Sequence, residues 1–376
     1  MNKQPSLFMN GREVTFENGE SILEVARRLQ IDIPTLCHLK GTTPTGACRI
    51  CVVEVEGART LLASCATPAA PGMKVFTESP KVVEARRLII QLLLSSGNHN
   101  CAVRGSDDQE WTAFQLKVQG EDGSDELCPV WGDCRLQDLA YRYQVSGERF
   151  AATPTRYPME TVNPFIIRDF SRCIQCGRCV QACNDVQVNN AINFGYRGPA
   201  TKIIAAGDRP LKDSDCVFCG ECVQACPVGA LVEKDVRYDV RPWETRKVRT
   251  TCSYCGVGCQ LHLHVRDNRV VKVTGAEIAP NHGSLCVKGR FGYHFVGSPE
   301  RLTEPLIKEN GQFRRASWDE ALDQVAGRLR QIRDAHGGDS IGVLTSARIT
   351  NEENYIAQKF ARAVLETNNV DHCARL

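Results

Sequence analysis

The sequence predicts a multidomain α+β protein, a run of small cysteine-rich modules followed by the start of an α/β domain. Three observations predict it. The 20 cysteines fall in tight groups along 376 residues. One group recurs: the spacing x2, x2, x3 runs from Cys173 to Cys183 and again from Cys216 to Cys226, and such an internal repeat marks a duplicated unit. Around the groups, hairpin signals and capped helix starts alternate.

Composition narrows the function. With 42% hydrophobic and 24% charged residues the chain is an ordinary folded one, which excludes a disordered or fibrous protein. A formal charge of +2 leaves no footprint for nucleic acid or an anionic membrane. The longest apolar run, Leu88 to Leu94, contains Gln91 and falls short of the roughly 18 residues of a spanning helix, so no membrane insertion is expected. Met1 to Phe16 shows no charged leader followed by an apolar run, which predicts a cytoplasmic protein. In a reducing cytosol, clustered cysteines mean metal or redox chemistry rather than cross-links.

Residues 1–78 open with two β-prone runs about Asn10-Gly11, the strongest short hairpin signal. Ser21 and Glu24 form a capping box before Ile22, Leu23, Ala26 and Leu29 at helical spacing. Val52 to Glu56 alternates as a strand, and the whole suggests a β-grasp-like module. Residues 79–140 begin with Pro80 at the first position of a helix whose apolar face is Val82, Val83, Ala85, Leu88, Ile89, Leu92 and Leu93, with Arg86-Arg87 on its polar side, ending near Gly97. Most of residues 104–127, polar and carrying Gly105, Gly120 and Gly123, reads as an inserted loop. Residues 141–162 read as a linker and 163–240 as the duplicated module.

From residue 245 to 301 the pattern changes. Leu261, Leu263 and Val265 alternate with polar residues, and Asp267-Asn268 turns the chain into Val270 to Val273 as a hairpin. In residues 302–376, Ser317 and Glu320 start a helix with Leu322, Val325, Leu329 and Ile332 on one face, stopped by Gly337-Gly338. Ile341 to Thr345 reads as a buried strand, and a helix capped by Thr350 and Glu353 runs to Asn368-Asn369. This is the opening of an α/β domain too short to close its own sheet.

The cysteine spacings carry the chemistry. Cys173, Cys176, Cys179 and Cys183, then Cys216, Cys219, Cys222 and Cys226 followed by Pro227, are the run of bacterial two-cluster ferredoxins, in which the fourth thiolate of each run ligates the other cluster. Cys173, Cys176, Cys179 and Cys226 are thus expected on one [4Fe–4S] cluster, and Cys216, Cys219, Cys222 and Cys183 on the other. Zinc needs tetrahedral pairs with a long spacer, which this run does not resemble. Asn184 stands where the first run would usually have Pro. Cys37, Cys48, Cys51 and Cys65, as C-x10-C-x2-C-x13-C in a turn-rich loop, suit a [2Fe–2S] cluster; the alternative is four small buried cysteines. His38 beside Cys37 reads as a neighbour, since four thiols complete that site. Cys252, Cys255, Cys259 and Cys286 form C-x2-C-x3-C-x26-C, with the hairpin returning Cys286 to the first three.

At these residues the chain resembles the amino-terminal part of molybdopterin oxidoreductases of the formate dehydrogenase type. The resemblance is carried by the last spacing, by Val287-Lys288-Gly289-Arg290, by Ser317-Trp318-Asp319-Glu320-Ala321 and by Asn369 to Arg375. It implies a [4Fe–4S] cluster on Cys252 to Cys286 and a molybdenum or tungsten bis(molybdopterin guanine dinucleotide) centre. Lys288 would lie between the two as electron relay; its bland reading is a surface lysine. It also implies a His/Cys-ligated [4Fe–4S] helical domain with the pattern His-x3-Cys-x2-Cys-x5-Cys. Here Cys128 and Cys134 keep the x5 spacing, but His99 lies one residue from Cys101 and Arg104 replaces the second Cys. His99, Cys101, Cys128 and Cys134 are the expected ligands if the insertion returns Cys128; otherwise this cluster is lost.

One [2Fe–2S] and four [4Fe–4S] clusters then account for every cysteine but Cys373, and imply an electron-transfer partner: a flavin- and NAD(P)-binding subunit, or a ferredoxin- or hydrogenase-linked one. Neither a G-x-G-x-x-G after a strand nor a P-loop occurs in this sequence. NADH–quinone oxidoreductase large subunits and iron-only hydrogenases share the first modules, but Cys252 to Cys286 and Val370 to Leu376 favour the formate dehydrogenase type. A stand-alone electron carrier is the alternative of a different class. In the family the catalytic Cys or selenocysteine follows the segment matching Val370 to Leu376, so a UGA codon is expected next and the chain as written is expected to be inactive alone.

Overall fold

The computed structural model describes residues 4–101, 117–119, 125–146, 149–151, 157–236 and 240–373. Most of the expected inserted loop, Arg104 included, and Ala374 to Leu376 of the family match lie outside the described residues. The chain divides into two compact units, Met1–Thr245 and Arg246–Leu376.

In the first unit, β1 (Ser6–Met9) and β2 (Arg12–Thr15) pair antiparallel. Asn10 and Gly11 both take positive φ, 51° and 85°, as a two-residue hairpin turn of the primed kind requires. The reciprocal capping box of Ser21 and Glu24 starts α1 (Ile22–Arg28). With β3 (Val52–Val55), β4 (Leu62–Ala63) and β5 (Lys74–Phe76), the strands form a sheet of order β2-β1-β5-β3-β4, β1 and β5 running parallel. Its core holds Leu7, Phe16, Ile22, Leu23 and Val53, with Cys51 and Cys65 packed among them.

Helix α2 (Pro80–Ser96) starts at Ser79, whose hydroxyl accepts from the Val82 N–H, and stops at Gly97 as expected. Its buried stripe, however, is Val82, Arg86, Ile90 and Leu94, while Leu92 is 47% exposed. Arg86 is not on the polar side. Its guanidinium donates to Glu78 at 2.6 Å, to the Tyr143 hydroxyl at 2.7 Å and to the Val52 carbonyl at 2.9 Å. These three acceptors lie far apart in sequence, so helical periodicity counts Arg86 as polar and misses its place.

Within the expected loop, β6 (Lys117–Gln119) pairs antiparallel with β7 (Asp125–Leu127), so its end is a hairpin. Helix α3 (Arg135–Arg142) follows. The expected linker is partly core: Tyr143 and Val145 are 4% and 1% exposed. They join Leu36, Ile50, Ile90, Leu94, Cys101, Cys134, Leu136, Val228 and Ala230 in one cluster, with Cys48, Cys173 and Cys226 packed against it. Three expected domains therefore share a core, because modules of this size bury too little surface alone.

The duplicated segment is built on β8 (Ile166–Arg168), β9 (Asn193–Gly195), β10 (Lys202–Ile204) and β11 (Leu231–Glu233), where β8 pairs with β11 and β9 with β10. Short helices α4 (Arg178–Gln181) and α5 (Glu221–Ala225) follow Gly177 and Gly220, both left-handed at φ 76° and 73°.

The second unit opens with a three-stranded meander, β12 (Arg246–Thr251), β13 (Gln260–Arg266) and β14 (Arg269–Gly275). The β13–β14 turn is Asp267-Asn268, at φ 48° and 58°, as the sequence predicts; β12 has no signal strong enough to predict it. A register shift between His264 and Val265 breaks the alternation, so His264 is buried and Val265 is not. After α6 (Val287–Phe291) come the hairpin β15 (Leu306–Glu309) and β16 (Gln312–Arg315), then α7 (Trp318–His336), capped by Ser317. Strand β17 (Val343–Thr345), α8 (Asn351–Phe360) and β18 (Val370–His372) form a parallel strand–helix–strand unit. The expected buried strand is open instead: Leu344 is 86% exposed, as are Leu322 and Val325 of α7 at 58% and 56%. The last helix stops short of Asn368, because Glu366 turns left-handed at φ 60° after one π-helical turn.

Replacing Arg86 with Ala strands buried acceptors and should destabilise the first unit by about 3 kcal/mol. Arg86→Met, which keeps the stem, should cost about half as much. Urea unfolding followed by circular dichroism measures both; an Arg86→Ala midpoint equal to the parent's would contradict the network.

Candidate metal centres

No disulfide joins any of the 20 cysteines; Cys373 is exposed just after the last strand, and Cys255 and Cys286 are exposed in the second unit. Among the described residues no three His, Cys, Asp or Glu side chains are placed to hold a single ion. A cluster sets a different requirement, since its thiolates divide among several irons.

Cys37 and Cys48 exchange contacts, the N–H of each lying 3.4 and 3.5 Å from the other's Sγ. Cys51 and Cys65 Sγ atoms are 3.4 Å apart, beyond the ~2.05 Å of a disulfide and near the ~3.7 Å between two sulfurs on one tetrahedral metal. The thiols of each pair are held apart in acidity. The contact with Cys48 pulls Cys37 down to about 5, and that with Cys65 pulls Cys51 down to about 6. Cys48 and Cys65 are pushed up by their partners and by burial. His38 stays outside this set and contacts Arg27 at 2.9 Å.

The two repeats share one local geometry. Gln175 and Phe218, each two residues after the first Cys of its run, are left-handed at φ 53° and 55°. Their N–H groups therefore point at Cys173 Sγ and Cys216 Sγ, each at 3.4 Å. The structure brings Cys226 to Cys173, Cys176 and Cys179 in a cavity walled by Ile174, Ile192, Ile203, Leu211, Val228 and Leu231. Burial pushes Cys173 up to about 11 and Cys176 to about 12, and raises Cys179 well above the usual thiol value. Around Cys216 the neighbouring thiols are Cys219 and Cys183, and Cys183 Sγ accepts from the Ala191 N–H at 3.3 Å. Cys222 meanwhile lines the first cavity as well, so the two groups adjoin.

His99 lies in the interior of the first unit, and neither ring nitrogen has a hydrogen-bond partner. Burial, reinforced by the charge of Arg172, lowers its pKa to about 3. Cys101, Cys128 and Cys134 are buried at 4%, 3% and 2% exposure. Burial and the neighbouring thiols push Cys101 up to about 12, and burial pushes Cys134 up to about 11. Arg172 faces both this imidazole and the three thiols, and a neutral imidazole with three thiols is the donor set of an iron–sulfur site. Despite the insertion, the chain brings Cys128 back to this group.

In the second unit Cys252 N–H donates to the Cys259 carbonyl at 2.8 Å, and Cys255 and Cys286 lie beside them. The approach of the Cys286 loop depends on Gly275: a Cβ there would overlap the Gly283 carbonyl oxygen. Tyr254 ties the loop to α6 by donating to the Gly292 carbonyl. Lys288 is exposed on α6, just after Cys286.

What sequence reasoning missed around these sites is basic: Arg172 and Arg178 are 1% and 6% exposed among the thiols. Their only signal is adjacency to the first cysteine run.

Residues 3–80 match the family described as a 2Fe-2S iron-sulfur cluster binding domain, 172–230 a 4Fe-4S dicluster domain, 245–298 the molybdopterin oxidoreductase Fe4S4 domain and 301–376 molybdopterin oxidoreductase. The NADPH-Fe(3+) oxidoreductase subunit alpha of Geobacter sulfurreducens is 38% identical over 99% of this chain and 40% of its own length. YrhE of Bacillus subtilis, which carries a provisional formate dehydrogenase name, is 34% identical over 99% of this chain and 40% of its own. An NADH-quinone oxidoreductase component of Rhizobium meliloti is 36% identical over 96% of this chain and 39% of its own. A chain from the crystal structure of an NAD+-reducing [NiFe]-hydrogenase in the H2-reduced state superposes with a TM-score of 0.53 at 30% identity, over 64% of this chain and 91% of that one. Residues 245–298 and 301–376 thus match molybdopterin oxidoreductase families, in a chain whose earlier residues match 2Fe–2S and 4Fe–4S domains. The chain spans about 40% of the length of these curated relatives. Among the described residues no helix is long and apolar enough to cross a membrane.

Gly275→Ala should force Gly283 away and open the Cys286 loop, lowering the iron content by about four per chain without touching the first unit. Iron and labile-sulfide analysis checks this, and an unchanged content would show that the close approach is dispensable.

Proposed function

We propose that this chain is the iron–sulfur electron-transfer part of a formate dehydrogenase alpha subunit, linking a molybdenum or tungsten bis-pterin site to a flavin and NAD(P) or a ferredoxin- or hydrogenase-linked partner. The observation that carries it is the convergence of thiol and imidazole donors: four groups in one compact unit and the Cys252 to Cys286 group in the other. The ligand sets are Cys37, Cys48, Cys51 and Cys65 for [2Fe–2S], and four [4Fe–4S] sets. Those are His99, Cys101, Cys128 and Cys134; Cys173, Cys176, Cys179 and Cys226; Cys216, Cys219, Cys222 and Cys183; and Cys252, Cys255, Cys259 and Cys286.

When bound, the metal–pterin centre would supply oxidation of formate to carbon dioxide, with two electrons and a proton released, and the clusters would supply one-electron storage between it and the partner. The residues of this chain do the holding. Burial favours the neutral thiols, so cluster assembly must release protons, and affinity drops as the pH is lowered. N–H groups of Gln175, Phe218 and Ala191 point at sulfur and favour the thiolates. The apolar wall about Cys173 to Cys226 keeps water out. Lys288, exposed beside Cys286, is the cation available to the pterin side.

A second reading concerns the substrate and acceptor. The Geobacter relative, at 38% identity, is named for NADPH and Fe(3+) rather than formate. On that reading the same clusters carry electrons from NADPH toward iron.

Anaerobically reconstituted chain should bind about 18 irons, and His99→Ala about 14; four or fewer in the parent would sink the scheme. In the crossed assignment, Cys226→Ser should abolish the EPR signal that also needs Cys173, and Cys183→Ser the one that needs Cys216. Loss of the opposite signals would reverse it. Formate-dependent dye reduction against NADPH-dependent iron reduction, measured on the assembled complex, separates the two readings.

A further inference from the structure

Arg172 is among the largest fully buried side chains, at 1% exposure. A guanidinium in the interior costs several kcal/mol unless opposite charge and hydrogen bonds accompany it. Nη1 donates to the Asn98 carbonyl at 3.0 Å, Nη2 lies 3.4 Å from Cys128 Sγ, and Nε has no partner. Among the described residues Arg172 forms no ion pair with a carboxylate. Asp169, three residues before it, accepts from the N–H and hydroxyl of Ser171 at 3.1 and 2.5 Å. The groups that face the guanidinium are the thiols of Cys128, Cys134 and Cys101, the Asp169 carboxylate, which acts on it without an ion-pair contact, and His99, whose ring nitrogens are both unpartnered. With neutral donors this cation would have only the charge of Asp169 to offset its burial; the same donors holding an anionic cluster would supply the rest.

We propose that Arg172 is the fixed counter-charge of the cluster on His99, Cys101, Cys128 and Cys134, donating an N–H···S hydrogen bond to Cys128 and raising that cluster's reduction potential. The assignment rests on the ligand reading above. A [4Fe–4S] cluster on three thiolates and one neutral imidazole carries one net negative charge when oxidised and two when reduced. One electron enters from a neighbouring cluster and one leaves to another. No proton moves, because a guanidinium stays protonated. A cation at this distance stabilises the doubly negative state more than the singly negative one, which makes reduction easier. Arg178 provides a contrast within the same cysteine run: it is 6% exposed, and the thiols facing it are Cys176, Cys226 and Cys37. Its charge therefore acts on thiols other than those beside Arg172.

The test uses the full chain, reconstituted anaerobically with iron and sulfide and titrated by EPR. The reference is the signal whose nitrogen hyperfine coupling reports the His99 imidazole. Arg172→Gln, which keeps N–H donors without charge, should move that midpoint to lower potential and leave the other midpoints in place. Arg172→Lys should hold it near the parent value, and Arg178→Gln should leave it unmoved while shifting signals of its own neighbours. Equal midpoints in the parent and Arg172→Gln, or equal shifts in the Gln and Lys variants, would overturn the assignment alone. A parent without the nitrogen-coupled signal refutes the His99 reading itself, and this assignment with it. Should Arg172→Gln fail to assemble the cluster, Arg172→Lys decides: full iron content at the parent potential supports the charge, and the same loss of iron overturns it.

Discussion

A thiol in a dry interior prefers to keep its proton, and a cluster needs it to give that proton up. Most of the first unit is arranged around this conflict. Cys173, Cys176 and Cys179 are driven up by burial in an apolar cavity, as are Cys101 and Cys134 beside His99. Against that cost stand backbone N–H groups aimed at sulfur and buried guanidinium groups, both of which favour the charged state of a thiolate site. Remove the iron–sulfur reading and the interior of this unit keeps polar atoms without partners, both ring nitrogens of His99 and Nε of Arg172 among them.

The same constraint dictates local backbone. In both repeats the residue whose N–H faces the sulfur of the Cys two positions before it is left-handed, Gln175 in one and Phe218 in the other, with Gly177 and Gly220 opening the helices that follow. Gly275 does the equivalent for the second unit by letting one backbone segment lie against another. Because the donors come from distant loops, the core that holds them is also shared. Tyr143, Val145 and Leu36 pack with Cys101, Cys134 and Val228, so loosening one module should be felt at the sites of its neighbours.

The cysteine groups sit in short motifs whose spacing is local, and spacing survives any tertiary arrangement; the two x2, x2, x3 runs and the capped helices at Ser21, Ser79 and Thr350 are legible for that reason. The insertion between Cys101 and Cys128 breaks the local rule, and only the folded chain brings Cys128 to Cys101 and Cys134.

Sequence alone determined the number and kind of cysteine groups, the repeat, the turns at Asn10-Gly11 and Asp267-Asn268, and most helix starts, since each depends on residues within a few positions of one another. Tertiary structure decided which charges are interior. Arg86, Arg172 and Arg178 look like ordinary surface residues in a string of letters, and they are buried because their acceptors, Val52 and Tyr143 for one, Asn98 and Cys128 for another, arrive from segments far away along the chain. Burial of a charge is a property of what surrounds it in space, and no periodicity in sequence encodes that.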